Sequence, residues 1–502
     1  MGDHRTRVLA SALGSLLRSE LVHVLHRDTD TGRARRARQL RHTLEDLGPL
    51  YTKLGQMLST RPDLVSAEVV RELRELHDAV SVQPFAVFEP VLRAELGAGW
   101  RARFRDLDTR RPLGAASLAQ VYAATLPDGR LVAVKVQRPG IAPVVDQDMA
   151  LLRRAARLAT RLLPDLAEVV DIRATLRMLF DAMGAELDFT AEARQMDRAR
   201  AEVTAFKHLD VPEVVLATPR VLVQSRAPGC SIRDADPAAF STAERTAIGR
   251  DLLAYMYRAY FTTGVFHADP HPGNVFVHPG AKASLLDWGM VGRVDRRTSR
   301  GLLLMLLNIA LNDGRGAAHA WIDMGCATAR ADVAAFQHDM QALVPTIANA
   351  SLADLNFGAS LTSALSSATR RGIRTSPSVA VLAKSFANLD GAIRHLVPEL
   401  SLTGVLRDEL RHIMAELLDD AASEPQLARL ALDVASWGED ALRARAVLRD
   451  LADGQVTVRV AQTGRGGARG RGGKVLLAAA AAGYLWRTRR GRPRPTAERS
   501  SR

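Results

Sequence analysis

The chain has 502 residues, 47% hydrophobic but only 5% aromatic, with a formal net charge of +13. That length holds about two to four domains, with cores filled mainly by Leu, Val and Ala, and two cysteines, Cys230 and Cys326, exclude a disulfide-framed scaffold. The charge is clustered at Arg33, Arg35, Arg36, Arg38 and Arg41, at Arg465, Arg469, Arg471 and Lys474, and at Arg487, Arg489, Arg490, Arg492 and Arg494. Such clusters meet nucleic acid or anionic lipid, or are simply solvated faces and a basic tail. No aromatic residues interleave with them, so no nucleic acid is expected and an anionic membrane surface is the favoured partner.

In chain order, no apolar run follows the first basic residues, so no signal peptide is expected. Residues 8 to 50 place Val8, Leu9, Leu13, Leu16, Leu17, Leu21 and Val24 at helical spacing. A second helix is expected over Leu47 to Met57, broken at Ser59-Thr60-Arg61-Pro62-Asp63, with a further helix starting near Ser66. Val80 to Pro84 reads as a connector. Ala119 to Thr125 and Leu131 to Gln137 are β-type runs around a Pro127-Asp128-Gly129 turn. Helices are expected over Val145 to Leu163 and Leu176 to Arg200, and two strands over Val214 to Gln224. Beyond Ser241 the chain reads as mainly helical, ending in a Gly/Arg-rich linker over Gly464 to Gly473. Val475 to Trp486 is apolar, but as a helix it spans only ~18 Å at about 1.5 Å per residue, against a bilayer core of ~30 Å. An in-plane anchor, a tilted partner in an oligomer and a helix packed on the body all fit it.

The chemistry-bearing residues lie in the middle of the chain. His267-Ala268-Asp269-Pro270-His271-Pro272-Gly273-Asn274 is followed by Leu285-Leu286-Asp287-Trp288-Gly289. An Asp separated by four residues from an Asn, then Asp-aromatic-Gly, is the layout of a kinase catalytic loop and its metal-binding partner. Val275 to Val277 and Ser284 to Leu286 read as the strands that carry it. His267 and His271 lack the Cys or His-Glu-x-x-His context of a zinc site. Asn and Asp oxygens instead suit Mg²⁺ bridging phosphates. Upstream, Val132-Ala133-Val134-Lys135 matches the strand lysine that neutralises nucleotide phosphates. A helical Glu should hold that lysine. Glu186-Leu187-Asp188-Phe189-Thr190-Ala191-Glu192 offers three carboxylates, with Asp188 and Glu192 expected on one helix face.

Together with Lys53-Leu54-Gly55-Gln56 and Gly114-Ala115-Ala116-Ser117, these motifs resemble, in order, the UbiB/AarF family of atypical kinase-like proteins over roughly residues 40 to 300. The resemblance implies that Lys135 contacts phosphate, Glu192 holds Lys135, Asp269 orients a hydroxyl or water as base, and Asn274 and Asp287 bind metal. It implies that Gly114, Ala115, Ala116 and Ser117 cover the nucleotide. It also implies that Lys53 and Gln56, on an N-terminal extension, meet Glu186 and Asp188 and close the groove to peptides. No Ala-Pro-Glu or conventional activation segment follows Gly289. Three positions depart from the family pattern. Gly114 stands for Ala, Trp288 stands for Phe, and Val221-Leu222-Val223-Gln224-Ser225-Arg226 lacks the Met-Glu pair of the adenine hinge.

The expected fold is α+β, a two-lobed atypical kinase-like fold. Residues 1–105 form a helical extension, 106–228 a smaller lobe with inserted helices, 229–450 a helical larger lobe and 451–502 a basic tail. The implied ligands are ATP and Mg²⁺, with ATPase or phosphotransferase chemistry. The implied setting is isoprenoid quinone or lipid biosynthesis, with an isoprenoid lipid or lipid-biosynthetic enzymes as partners. The expected location is the cytoplasmic side of a membrane, held peripherally or by a short C-terminal anchor. Two rival readings are a protein kinase and a non-catalytic, nucleotide-gated scaffold for lipid-biosynthetic enzymes.

Overall fold

Pro127-Asp128-Gly129 turns the chain because Gly129 adopts φ +91° and the Asp128 carboxylate accepts the Arg130 amide at 3.0 Å. The computed structural model describes residues 30–59, 65–76, 81–162, 172–328, 331–348 and 357–421. The expectations for residues 1–29, most of the break after Ser59, and the C-terminal linker, apolar segment and two basic clusters lie outside these residues.

The N-terminal helices are α1 (Asp30–Leu47), α2 (Pro49–Ser59) and α3 (Ala67–Arg74). The stretch before Pro49 is cut at Gly48, whose φ of +99° ends α1. Ser66 caps α3 by accepting the Val69 amide, as its position predicts. Leu44, Leu50, Tyr51, Leu73 and Leu76 form a small core with Val145 and Met149 of α5 (Ile141–Leu162) and Leu179 and Met183 of α6 (Ile172–Leu187). Gly55 lies at its tightest point: a Cβ there would sit 2.3 Å from Leu76 Cδ1 and 2.9 Å from Leu44 Cδ1. In α1, Arg33, Arg38 and Arg41 pair with Glu68 or Glu72 of α3, so part of the first basic cluster is spent inside the extension.

The next helix, α4 (Phe85–Leu96), is absent from the sequence expectations. It caps one face of a sheet built from β1 (Asp106–Leu107), β2 (Gly114–Ala115), β3 (Ala119–Thr125), β4 (Leu131–Gln137), β6 (Val214–Ala217) and β7 (Val221–Ser225), with β5 (Leu209–Asp210) elsewhere. The path is β1-β3-β4-β7-β6, and β2 pairs with β3. Strand alternation sends Val132, Val134 and Val136 into a core with Phe88, Leu92, Trp100 and Tyr122. Lys135 therefore points to the opposite face.

The helix expected over Leu176 to Arg200 is two helices, α6 and α7 (Phe189–Val203). Asp188 breaks it, with φ −127° and ψ 96°, and its side chain accepts the Thr190 amide as the cap of α7. A short acid favours this over a helix interior. Asp188 and Glu192 thus do not share a helix face.

The larger lobe starts with β8 (Cys230–Ser231) and α8 (Thr242–Arg258). A π turn over Ala259–Thr263 ends at Gly264, φ +68°, which delivers the chain into β9 (Val265–His267). Strands β10 (Val275–Val277) and β11 (Ala283–Leu285) form a hairpin within the order β5-β11-β10-β8, and β12 (Val291–Arg293) pairs with β9. Helices α9 (Arg296–Ala310), α10 (Gly314–Met324), α11 (Val333–Ala348), α12 (Phe357–Arg370), α13 (Pro377–Leu396) and α14 (Leu402–Ala421) follow, with a small β13 (Cys326–Ala327)–β14 (Ile373–Arg374) pair. Their core includes Tyr257, Tyr260, Phe266, Trp321, Phe336 and Phe386. α13 passes beneath the β9 loop, its Phe386 ring 4.2 Å from Tyr260. The architecture is α+β, with a sheet-bearing lobe and a helical lobe. Among the described residues no helix is long and apolar enough to cross a membrane.

Candidate active site

Lys135 leaves the open face of β4 and donates to both oxygens of Glu192 on α7, at 2.9 and 2.8 Å. Glu192 is 2% exposed, so the pair is an ionic contact held in a largely dry environment. The Lys135 ammonium also lies 3.4 Å from Asp287 Oδ1 and 5.1 Å from the Phe189 ring. Burial works against the lysine's charge, but the surrounding carboxylates of Glu192 and Asp287 outweigh it and raise its pKa. In return the Lys135 ammonium holds the Asp287 carboxyl below the usual carboxylate range.

The residues after Lys135 serve as fasteners. Gln137 donates to the Leu187 carbonyl at 2.9 Å, which fixes β4 to the α6–α7 break. Arg138 donates to the Ala116 carbonyl at 2.9 Å and so pins the Gly114–Ser117 loop. That loop folds back on β3: Gly114 and Ala115 pair with Val121 and Gln120, and the Ala116 amide donates to the Ala119 carbonyl. In this arrangement the Ala116 amide closes the loop onto β3. An added Cβ at Gly114 would meet nothing within 4 Å.

The loop between β9 and β10 is assembled around His267. Its Nδ1 accepts the Asp269 amide at 3.1 Å, which leaves Nε2 as the donor to the Leu286 carbonyl at 2.9 Å. Burial lowers its pKa, which keeps this ring neutral and the tautomer single. The ring thus ties the Asp269 loop to the strand that leads into Asp287, and Trp288 packs edge-on against it at 4.7 Å. Trp288 is buried and donates to the Leu285 carbonyl at 3.1 Å, so the bulkier ring in place of Phe fills its pocket with its polar atom satisfied. Asn274 donates to the Asp269 carbonyl at 3.1 Å. Asp287 adopts φ +57°, a left-handed conformation that Asp tolerates better than most residues and that turns its carboxylate toward Lys135.

Lys53 of α2 contacts Glu186 of α6 at 2.5 Å, so the extension is latched to the α6–α7 segment. A Cβ at Gly289 would lie 3.4 Å from Asp287 Oδ1, 3.4 Å from Glu186 Cγ and 3.9 Å from Glu192 Oε2. The Lys53–Glu186 latch, the Lys135–Glu192 pair and Asp287 therefore share one pocket. Asp188 is not drawn in by Oδ1, which accepts the Thr190 amide and hydroxyl. Gln56 Oε1 is buried without a hydrogen-bond partner among the described residues.

Two site residues were not legible as such in the sequence. Both oxygens of Asp269 are taken by α13: Oδ2 by the Lys384 ammonium at 2.8 Å, and Oδ1 by the Asn388 amide at 2.5 Å. Burial opposes ionisation of Asp269, but Lys384 overrides it and holds the carboxyl well below its ordinary range. Their only sequence signal is a polar i, i+4 pair inside an apolar helical run.

The residues present fit a divalent cation of the magnesium type. Asn274 and Asp287 offer oxygen donors, and among the described residues no group of three or more His, Cys, Asp or Glu could hold a metal unaided. Mg²⁺ takes few protein ligands and completes its shell with phosphate and water.

Residues 75–320 match the family model of the ABC1 atypical kinase-like domain. The probable protein kinase UbiB of Cellvibrio japonicus is 34% identical over 382 residues, 74% of this chain and 68% of that one. An uncharacterized protein of Synechocystis sp. is 32% identical over 364 residues, 70% of this chain and 88% of its own. A Mycobacterium tuberculosis protein solved in complex with erythromycin is 26% identical, covers 62% of this chain and 79% of its own, and superposes with a TM-score of 0.43. By motif order, by the family model and by the identity to the Cellvibrio protein, the chain belongs to the UbiB/AarF family of atypical kinase-like proteins.

Proposed function

We propose that this chain binds Mg-ATP and transfers or hydrolyses its terminal phosphoryl group in support of isoprenoid quinone or lipid biosynthesis at a membrane. The observation that carries the reading is Lys135 held by both oxygens of Glu192 while facing Asp287. A fixed cation beside a carboxylate that could hold metal supports the reading, because phosphoryl transfer rests on positioning and charge stabilisation. The Gly114–Ser117 loop would cover the nucleotide from the sheet side, and backbone groups of the Val221–Arg226 segment would meet the adenine. Asn274 and Asp287 would hold Mg²⁺, which would supply neutralisation of the phosphate charge. A bond forms from the acceptor oxygen to the γ-phosphorus as the γ-phosphorus–bridging-oxygen bond breaks. ADP leaves with the electron pair, and Asp269, kept ionised by Lys384, orients the acceptor's hydroxyl as its hydrogen-bond base while the hydroxyl's proton passes on to solvent.

The acceptor is inferred to be water or a lipid-side hydroxyl rather than a protein. The Lys53–Glu186 contact latches the extension beside the site, which supports poor access for peptides. A cavity of about 660 Å³ at Gly289, where Met57, Met178, Trp288 and Val381 alternate with Arg177, Asp181, Arg293 and Asp295, leaves room for an acceptor that carries both apolar and polar groups. The protein-kinase reading rests on the name carried by its relatives.

The test is phosphate release from Mg-ATP by the purified chain, with and without anionic liposomes, against Asp287→Asn. Lipid-stimulated release that is lost in Asp287→Asn supports the reading. ATP binding with no release in any condition sinks the hydrolysis reading and favours a nucleotide-gated scaffold, in which Mg-ATP shifts the lobes without turnover, or a kinase whose acceptor is missing.

A further inference from the structure

α13 is an apolar helix with one polar stripe. Val379, Leu382, Ala383, Phe386, Leu389 and Ile393 are buried on it, yet Lys384, Ser385 and Asn388 interrupt the run. Polar groups inside a packed helix are costly unless satisfied, so their partners identify their purpose. Ser385 donates to the His267 carbonyl at 2.7 Å, and its oxygen takes the Tyr260 hydroxyl at 2.8 Å. Lys384 and Asn388 take the two oxygens of Asp269. These three residues are thus spent on β9, the turn before it and the loop after it, more than a hundred residues earlier in the chain, whereas the other buried polar residue of the run, Asp390, pairs with Arg394 of its own helix. Lys384 and Asn388 lie at i and i+4, one helix face, matched to the spread of a carboxylate.

The loop lacks these fastenings of its own. Pro270, His271, Pro272 and Gly273 lie between Asp269 and Asn274 and include no Lys or Arg. His271 accepts the Gly273 amide at 3.0 Å, and Asn274 donates to the Asp269 backbone carbonyl, not to its carboxylate.

We infer that Lys384 and Asn388 are positioning residues for phosphoryl transfer, which act by fixing the orientation of the Asp269 carboxylate toward the acceptor. An acceptor oxygen hydrogen-bonded to Asp269 at about 2.7 Å must approach along directions left by two fixed donors, so the donors set where it sits. Small misplacements of a reacting group cost about 10²-fold in rate. The inference rests on the phosphotransfer reading above.

The experiment measures steady-state phosphate release with Mg-ATP for the full chain and for Lys384→Met, Lys384→Arg and Asn388→Ala. ADP affinity and thermal midpoint are recorded for each. The expected result for Lys384→Met is a fall in kcat of about 10²-fold, with the KM for ATP and the ADP affinity within about threefold of the parent. Lys384→Arg, which keeps the charge and a donor, should recover at least tenfold of that loss. Should Lys384→Met fail to fold, Asn388→Ala carries the test, with an expected tenfold loss in kcat at unchanged ADP affinity. Unchanged kcat in these variants overturns the inference. So does a loss of kcat that tracks a loss of ADP affinity and thermal midpoint and is not recovered by Lys384→Arg, because that is a structural role. If the parent chain itself releases no phosphate, the hydrolysis reading falls and the inference falls with it. If the parent turns over and Lys384→Met matches it, only the inference falls.

Discussion

The two halves of the site hold a lysine against a carboxylate by different means. In the sheet-bearing lobe, Lys135 projects from the middle of a strand that is hydrogen-bonded to β3 on one side and β7 on the other. Its partner Glu192 is buried on a helix that packs on β6 and β7 of that lobe and also joins the core of the helical lobe. In the helical lobe, Asp269 lies in a loop between two three-residue strands and is steadied by side chains from a helix 115 and 119 residues further on. A ladder fixes direction through backbone hydrogen bonds, so the first half needs only the right residue at the right strand position. A loop has no such frame, and its accuracy must be borrowed from a distant element. Damage to the second half should therefore come from positions that local sequence gives no reason to suspect.

The largest effect should come from breaking the first half at its centre. Glu192→Ala leaves the Lys135 ammonium without its main partner in a region of low exposure. Removing one member of a buried ion pair costs about 3 kcal/mol. Urea unfolding should show that loss, and phosphate release should fall by about 10²-fold. The double substitution Lys135→Met with Glu192→Leu sharpens the comparison. It should regain most of the stability, because apolar pairs replace buried ion pairs at little cost, but none of the turnover. Recovery of turnover in the double variant would show that this pair is structural.

The extension gives the next largest effect. Gly55 sits where α2 meets Leu76 and Leu44, and any side chain there intrudes on the Leu76 methyl. Gly55→Val should destabilise by about 1–3 kcal/mol through overpacking. Because the same helix carries Lys53, it should also loosen the contact with Glu186. A generic basic peptide offered with labelled ATP would then be phosphorylated more readily than by the parent. Loss of stability with no change toward the peptide would separate packing of the extension from closure of the groove.

The same contrast explains what was legible in the sequence. The β3–β4 hairpin and the β10–β11 hairpin coincide with their expected positions to within a residue, because Pro127-Asp128-Gly129 and the alternation around Lys135 are local signals. The Asp269, Asn274 and Asp287 spacing is likewise local, and the fold class follows from it. The α4 helix carries a helical stripe at Phe85, Phe88, Leu92 and Leu96, but Pro84 and Pro90 in the same stretch run against a helix. The break at Asp188 was overlooked because an acid inside an apolar periodic run reads as an exposed face. Its capping role depends on the turn that the chain takes there. Lys384 and Asn388 could be seen only as an i, i+4 polar pair. That they converge on Asp269 is a tertiary fact with no signature in the residues nearby.

Asp188 offers a smaller test of that account. As the cap of α7 it satisfies the Thr190 amide, and Asp188→Ala should cost about 1 kcal/mol in urea unfolding. Asp188→Asn keeps a capping oxygen and should recover nearly all of it. If both substitutions lower phosphate release equally while only Ala lowers stability, the charge of Asp188 matters to the site as well as to the helix.

The smallest effect on stability, and the most direct reading of the nucleotide loop, belongs to Gly114→Ala. Gly114 pairs with Val121 in an ordinary extended conformation, and a Cβ there meets no protein atom within 4 Å. Nothing in the fold therefore requires glycine. Replacing it should stabilise the chain by about 0.4–1 kcal/mol, because alanine narrows the unfolded ensemble without straining the folded one. Any change in nucleotide binding then reports on contact between the loop and the phosphates, since the protein itself has room for the methyl group. Titration of ATP and ADP by fluorescence, beside thermal unfolding, makes the check. A higher melting temperature with altered preference between ATP and ADP places the loop against the phosphates. A higher melting temperature with identical affinities leaves Gly114 outside the nucleotide's reach and shifts its cover to Ala115 and Ser117.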